Sequence, residues 1–137
     1  MVEGTLENLN SFGANATVET CDVSEIHSLW GGKKQCAFVF DPPYGRSSWT
    51  SGKVMEPFFE ALSSTSRIDP EGTLSTMLPT TPESLQTGPS EDVEVMGMPW
   101  SELEPLIIER GWKPVLRTPV RVHSSLARMV VVCHPAD

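Results

Sequence analysis

The sequence predicts one open α/β domain over residues 1–137, with a mostly parallel sheet that ends in an antiparallel strand pair. Three observations predict it. Helix-period and strand-like segments alternate along most of the chain, the pattern of a sheet with helices on its faces. The run Cys36–Phe40 is almost continuously apolar, as a parallel strand buried on both faces requires. Near the C-terminus, Trp112–Val122 and Leu126–His134 are strand-like and meet at Ser124-Ser125, the spacing of a hairpin.

In chain order, residues 1–12 place Val2, Leu6 and Leu9 at helical spacing, and Gly13 follows as a stop. Ala16–Thr20 reads as a short strand and Ser24–Trp30 as a short helix capped by Ser24. Gly31 to Lys34 makes a turn into the apolar run Cys36–Phe40. Over Lys53–Ser66, Val54, Phe58 and Leu62 recur at i, i+4, i+8, which suits a helix packed on a sheet. Asp69-Pro70-Glu71-Gly72 is a turn, and Thr73–Leu78 is the next strand. Pro79–Asp92 has little to bury and several turn formers, so it reads as a loop. Pro99–Arg110 is a helix, with proline near its first turn and Gly111 beyond its end.

A chain of 137 residues can build one real core but not two. No run approaches the ~20 apolar residues that span a bilayer, and MVEGTLENLN lacks the pattern of a signal peptide, so a cytoplasmic location without membrane attachment is expected. Cys21, Cys36 and Cys133 are widely spaced and odd in number, which predicts buried reduced thiols and no disulfide framework. His27, His123 and His134 are equally scattered, so no metal site is expected. A formal charge of -8 opposes general affinity for nucleic acid. Yet Arg110, Lys113, Arg117, Arg121 and Arg128 fall in a stretch without any acid, which allows one positive face on an acidic body. A solvated strand face explains the same charges.

The strongest chemical signal is FVFDPPYG, Phe38–Gly45. Ligands of open α/β sheets bind outside the carboxyl ends of the strands, and two predicted strands end on an acid, at Asp22 and Asp41. Taken alone, Asp22 is better explained as a helix cap or surface turn. Asp41 differs because Pro42 and Pro43 fix successive φ angles and remove two donors. That leaves the Asp41 carboxylate and the Pro42 carbonyl as rigidly aimed acceptors, with Tyr44 as a flat face. Such a set suits a planar group bearing an exocyclic amine. Two acceptors on its N–H bonds favour a pyramidal nitrogen and free the lone pair for attack. A ring such as Tyr44 can hold an extruded base. At ordinary composition, Asp-Pro-Pro-Tyr arises by chance in on the order of one in a thousand chains of this length.

Asp41-Pro42-Pro43-Tyr44 resembles the [D/N]-P-P-[Y/F/W] motif of S-adenosylmethionine-dependent amino methyltransferases. More narrowly, DPPYGRSS (Asp41–Ser48) together with RVHSSLAR (Arg121–Arg128) resembles the THUMP-containing tRNA guanosine-N2 methyltransferases. The resemblance implies a partial Rossmann-like class I methyltransferase fold, S-adenosylmethionine as cofactor and tRNA as partner. It implies catalytic roles for Asp41, Pro42, Pro43 and Tyr44, and cofactor contacts from Asp22, which falls where an acid meets the adenine, and from Asp41. It further implies RNA contacts from Arg46, Arg121, His123 and Arg128, with Arg121 and Arg128 alternatively bracing the loop. Ala127 stands where the family usually has threonine, so the role of that hydroxyl is not carried over.

The family's glycine-rich cofactor loop has no counterpart, because no G-x-G occurs anywhere in the sequence. No THUMP domain precedes residue 1 either. By the family's pattern the chain starts just after the second strand, which predicts the C-terminal part of a catalytic domain: a fragment, a truncated product, or one half of a divided protein completed by a companion chain. Such a chain is expected to be inactive alone. Two other readings stand beside this one: a DNA adenine-N6 or cytosine-N4 methyltransferase, and a non-catalytic remnant that binds a partner.

Overall fold

Thr73–Thr80 forms β2, the strand against which most of the sheet is registered. The computed structural model describes residues 1–42, 55–86 and 92–137. Over these, the elements are α1 (Val2–Ser11), a 3-10 turn (Val23–Glu25), α2 (Ile26–Trp30), β1 (Ala37–Phe40), α3 (Glu56–Ile68), β2, a second 3-10 turn (Pro82–Leu85), β3 (Glu94–Val95), β4 (Met98–Pro99), α4 (Trp100–Glu109), β5 (Trp112–His123) and β6 (Leu126–Pro135).

The sheet is less parallel than the sequence predicts. Among the described residues one strand pair is parallel, β1 with β2, registered from Ala37↔Thr73 to Phe40↔Thr76. The reason is the position of β6, which enters between β2 and β5 and runs antiparallel to both. As a result β1, β2 and β5 share one direction, and β6 alone among the long strands opposes them. The β5–β6 hairpin is the antiparallel pair expected from Ser124-Ser125.

The core lies on one face of this sheet. Leu74 and Leu78 of β2, and Met129, Val131 and Cys133 of β6, alternate inward with period two. Phe58 and Leu62 of α3 and Leu103 and Ile107 of α4 cover them, four residues apart on each helix. Each fully buried side chain of this size contributes roughly 2 kcal/mol of transfer free energy. Trp112 fills the junction, with its indole N–H donating to the Leu62 carbonyl at 3.0 Å and to Thr65 Oγ1 at 3.2 Å. Gly111 follows α4 at φ +98°, a conformation that favours glycine, and a Cβ there would crowd the Ser66 side chain of α3.

The other face of the sheet is open. Val39, Met77, Leu116 and Val120 point to it and are 81%, 40%, 53% and 46% exposed. β1 is therefore not the doubly buried central strand that its composition predicts: it pairs with β2 alone among the described residues. Three further expectations are corrected. Ala16–Thr20 forms no strand, because the extended segment has no neighbour among the described residues to complete a ladder. Ser24 caps no helix: it lies within the 3-10 turn before α2, and Asp22 caps that turn, accepting from the Ser24 backbone N–H at 2.9 Å. Cys21 is exposed, whereas Cys133 is buried and Cys36 lies between. The predicted loop Pro79–Asp92 begins as the end of β2 and continues into the second 3-10 turn, while residues 87–91 lie outside the described residues. α1 forms as expected, stopped at Gly13 (φ +68°), and buries none of its side chains. No helix among the described residues is long and apolar enough to cross a membrane.

Candidate functional site

β1 carries Phe38 and Phe40 to the core face, where Phe38 meets Trp112 edge-on at 5.9 Å and Phe40 meets Phe58 at 6.3 Å between centroids. The alternation then turns Asp41 to the opposite, open face, with 47% of its side chain exposed. Pro42 is buried directly after it. The start of the strand is fixed as firmly as its end: the Cys36 N–H donates to Asp69 Oδ2 at 2.9 Å, and the Glu71 N–H donates to Asp69 Oδ1 at 3.0 Å. These bonds to backbone N–H groups, the Cys36 bond foremost, hold the Asp69 carboxyl below the usual carboxylate range.

Beside the free edge of β1 opens a cleft of about 340 Å³. Its walls are Val23 and Ile26 from the turn and α2, β1 from Phe38 to Asp41 with Pro42, and Pro57, Ala61 and Thr65 of α3. The walls are almost wholly apolar, with the Asp41 carboxylate as the charged group at the margin. The three α3 residues are spaced i, i+4, i+8, a second stripe next to the Phe58–Leu62 core stripe. That spacing is the sequence signal by which this wall could have been found.

Asp22 adjoins the cleft through Val23, its chain neighbour, and does not itself line it. The Ser24 hydroxyl and backbone N–H both bond Asp22 Oδ1, at 2.7 and 2.9 Å, and together they lower the Asp22 carboxyl from its ordinary value. Oδ2 has no partner among the described residues. The cap role that Asp22 fills is thus compatible with a second, outward bond from Oδ2.

Arg128 reaches Asp41 across the sheet. It stands on β6 in register with Pro79 of β2, and its Nη1 donates to Asp41 Oδ1 at 2.9 Å and to Oδ2 at 2.8 Å. Asp41, the first residue of one motif segment, and Arg128, the last of the other, therefore meet although they are 87 residues apart. The remaining expected RNA contacts do not gather there. Arg121 is exposed on β5, in register with Ala127. His123 braces the hairpin, its Nδ1 accepting from the Ser125 N–H at 3.2 Å. Nor do the basic residues of Arg110–Arg128 form one positive face: Arg110 lies over the Phe59 ring and bonds Ser63, and Arg117 lies over Trp100. Pro43, Tyr44 and Arg46 lie outside the described residues. No group of three or more His, Cys, Asp or Glu that could hold a metal ion occurs among the described residues.

No protein-family model and no curated protein matches the sequence. Solved structures do match the fold. A protein from Burkholderia thailandensis, 1,6-didemethyltoxoflavin-N1-methyltransferase with 1,6-didemethyltoxoflavin and S-adenosylhomocysteine bound, aligns with a TM-score of 0.59 over 97% of this chain and 56% of its own, at 15% identity. A Thermus thermophilus protein, named as a candidate DNA modification methylase, aligns with a TM-score of 0.54 over 85% of this chain and 51% of its own, at 11% identity. The chain spans about half the length of these solved structures. What the likeness shows is the fold: an α/β sheet with helices, shared with S-adenosylmethionine-dependent methyltransferase structures over the part of them that this chain spans.

Proposed function

We propose that this chain is the catalytic-motif half of an S-adenosylmethionine-dependent methyltransferase that modifies an exocyclic amine of a nucleobase, the N2 of a guanosine in tRNA. One observation carries the reading. The Asp41 carboxylate stands at the end of β1 on the margin of an apolar cleft, gripped by Arg128 from the other motif segment. A buried proline follows at once, so the Asp41–Pro42 backbone has little freedom left to lose.

In this reading Asp41 and the Pro42 carbonyl each accept one N–H of the target amine. That pulls the nitrogen toward a pyramidal shape and aims its lone pair, a contribution of positioning and fixed charge without a covalent intermediate. Tyr44 stacks on the base. S-adenosylmethionine, when bound, supplies a methyl group on a positively charged sulfur. In support, the apolar walls of Val23, Ile26 and Pro57 suit a flat ring, and Asp22, next to Val23, bonds Ser24 through Oδ1 only; in this reading its Oδ2 takes the exocyclic amine of the adenine. The described residues do not supply a glycine-rich backbone cradle for the amino-acid end of the cofactor. A further stretch of polypeptide, in the same or a companion chain, would bring that cradle and could pair a strand with the edge of β1 that no described residue occupies.

The test is transfer of labelled methyl groups to tRNA and to duplex DNA, with the chain combined with the segment that completes its fold. Methyl-N2-guanosine in tRNA is the expected product. Transfer to DNA adenine or cytosine alone would favour a second reading, which the likeness to a candidate DNA modification methylase supports. No transfer to either nucleic acid would favour a binding remnant.

A further inference from the structure

Arg128 sits 25% exposed on the open face of the sheet, between Val130 of its own strand and Val120 of β5. Its Nη1 lies 2.9 and 2.8 Å from the two oxygens of Asp41, which is nearly half exposed. An ion pair this open to water adds little to folding stability. Its consequence is geometric. A carboxylate at a strand end turns about two torsions, and a guanidinium nitrogen that donates to both oxygens from one side restricts both. The opposite edge of the carboxylate is then turned away from Arg128.

We propose that Arg128 is a positioning residue for Asp41: its guanidinium orients the carboxylate so that the edge facing away from Arg128 accepts the amine of the base. The proposal rests on the amine-acceptor reading of Asp41. It is offered in place of the phosphate contact that the resemblance implies for Arg128, whose Nη1 is directed at both Asp41 oxygens. The difference between the roles is measurable. An RNA phosphate contact contributes to binding and to its salt dependence, whereas orientation of an acceptor contributes to turnover.

The experiment compares wild type, Arg128→Ala, Arg128→Lys, Asp41→Ala and the double alanine variant in the complete protein or reconstituted complex. It measures kcat, the KM for tRNA and the salt dependence of tRNA binding, with thermal melts to verify that each variant folds. The positioning role predicts that Arg128→Ala lowers kcat about 10- to 100-fold with KM and salt slope unchanged. Arg128→Lys should recover part of that loss, since a lysine restores the charge without the planar fork. A retained kcat with a raised KM, and a salt slope reduced by about 1, would overturn the proposal in favour of a phosphate contact. If Asp41→Ala loses turnover while Arg128→Ala keeps it, positioning alone is overturned; if Asp41→Ala keeps full turnover, the acceptor reading fails with it. A residue that acts through Asp41 adds nothing once Asp41 is gone, so the double variant should lose no more turnover than Asp41→Ala. Losses that multiply in the double variant would overturn the proposal.

Discussion

At the scale of single residues, Asp69 ties three parts of the fold together, since it follows α3 and its carboxylate accepts from Cys36 at the start of β1 and from Glu71 in the turn before β2. Its carboxyl lies below the ordinary value in the folded chain because those N–H groups favour the charged form, Cys36 first. The stability it contributes is therefore complete above the unfolded value of about 3.9 and is lost as pH falls through the lower folded value. Asp69→Asn should lower the melting temperature clearly at pH 7, and the gap to wild type should close as pH is taken from about 4 toward 2. A gap that stays constant across that range would contradict this role. Asp41, by contrast, is legible as a chemical residue because two prolines follow it. Its partner is not: nothing in spacing ties residue 128 to residue 41, and only the placement of β6 beside β2 brings them together. Cys21 escapes the sequence for a related reason. Its apolar neighbours suggest a strand, but the segment pairs with nothing among the described residues and leaves the thiol in solvent.

At the scale of elements, the helices are legible to within two or three residues at each end. α3 and α4 each present an apolar stripe at i, i+4, although Val54 of the expected α3 stripe lies outside the described residues, and Pro99 and Gly111 bracket α4. The sheet is legible in its long strands but not in its pairing. The apolar run of β1 reads as doubly buried, yet its burial depends on a neighbour that the described residues do not contain, and Val39 is left 81% exposed. The joining of α3 to the hairpin depends on Trp112, which is 1% exposed and bonded to Leu62 and Thr65. Trp112→Ala removes a large buried ring and leaves Thr65 without that donor, so it should cost about 3–5 kcal/mol of folding stability. Denaturant titration measures this directly. A loss below about 1 kcal/mol would mean that α3 and β5 do not form a tight joint.

At the scale of the whole molecule, the sheet as built by the described residues has one covered face and one bare one. The bare face carries Val39, Met77, Leu116 and Val120, and the cleft at the edge of β1 adjoins it. If the proposed function holds, the isolated chain should bind S-adenosylmethionine weakly, since the described residues offer an apolar wall for a flat ring and no glycine-rich cradle. Calorimetric titration of the isolated chain should show no binding in the micromolar range; micromolar affinity would contradict a divided site.

The central claim is that Asp41 accepts the amine that becomes methylated, and the most direct measurement is the single-turnover rate of methyl transfer to tRNA by Asp41→Ala in the completed protein. The predicted result is a loss of about 100-fold or more, with the fold and tRNA affinity intact. A rate within a few-fold of wild type would contradict it.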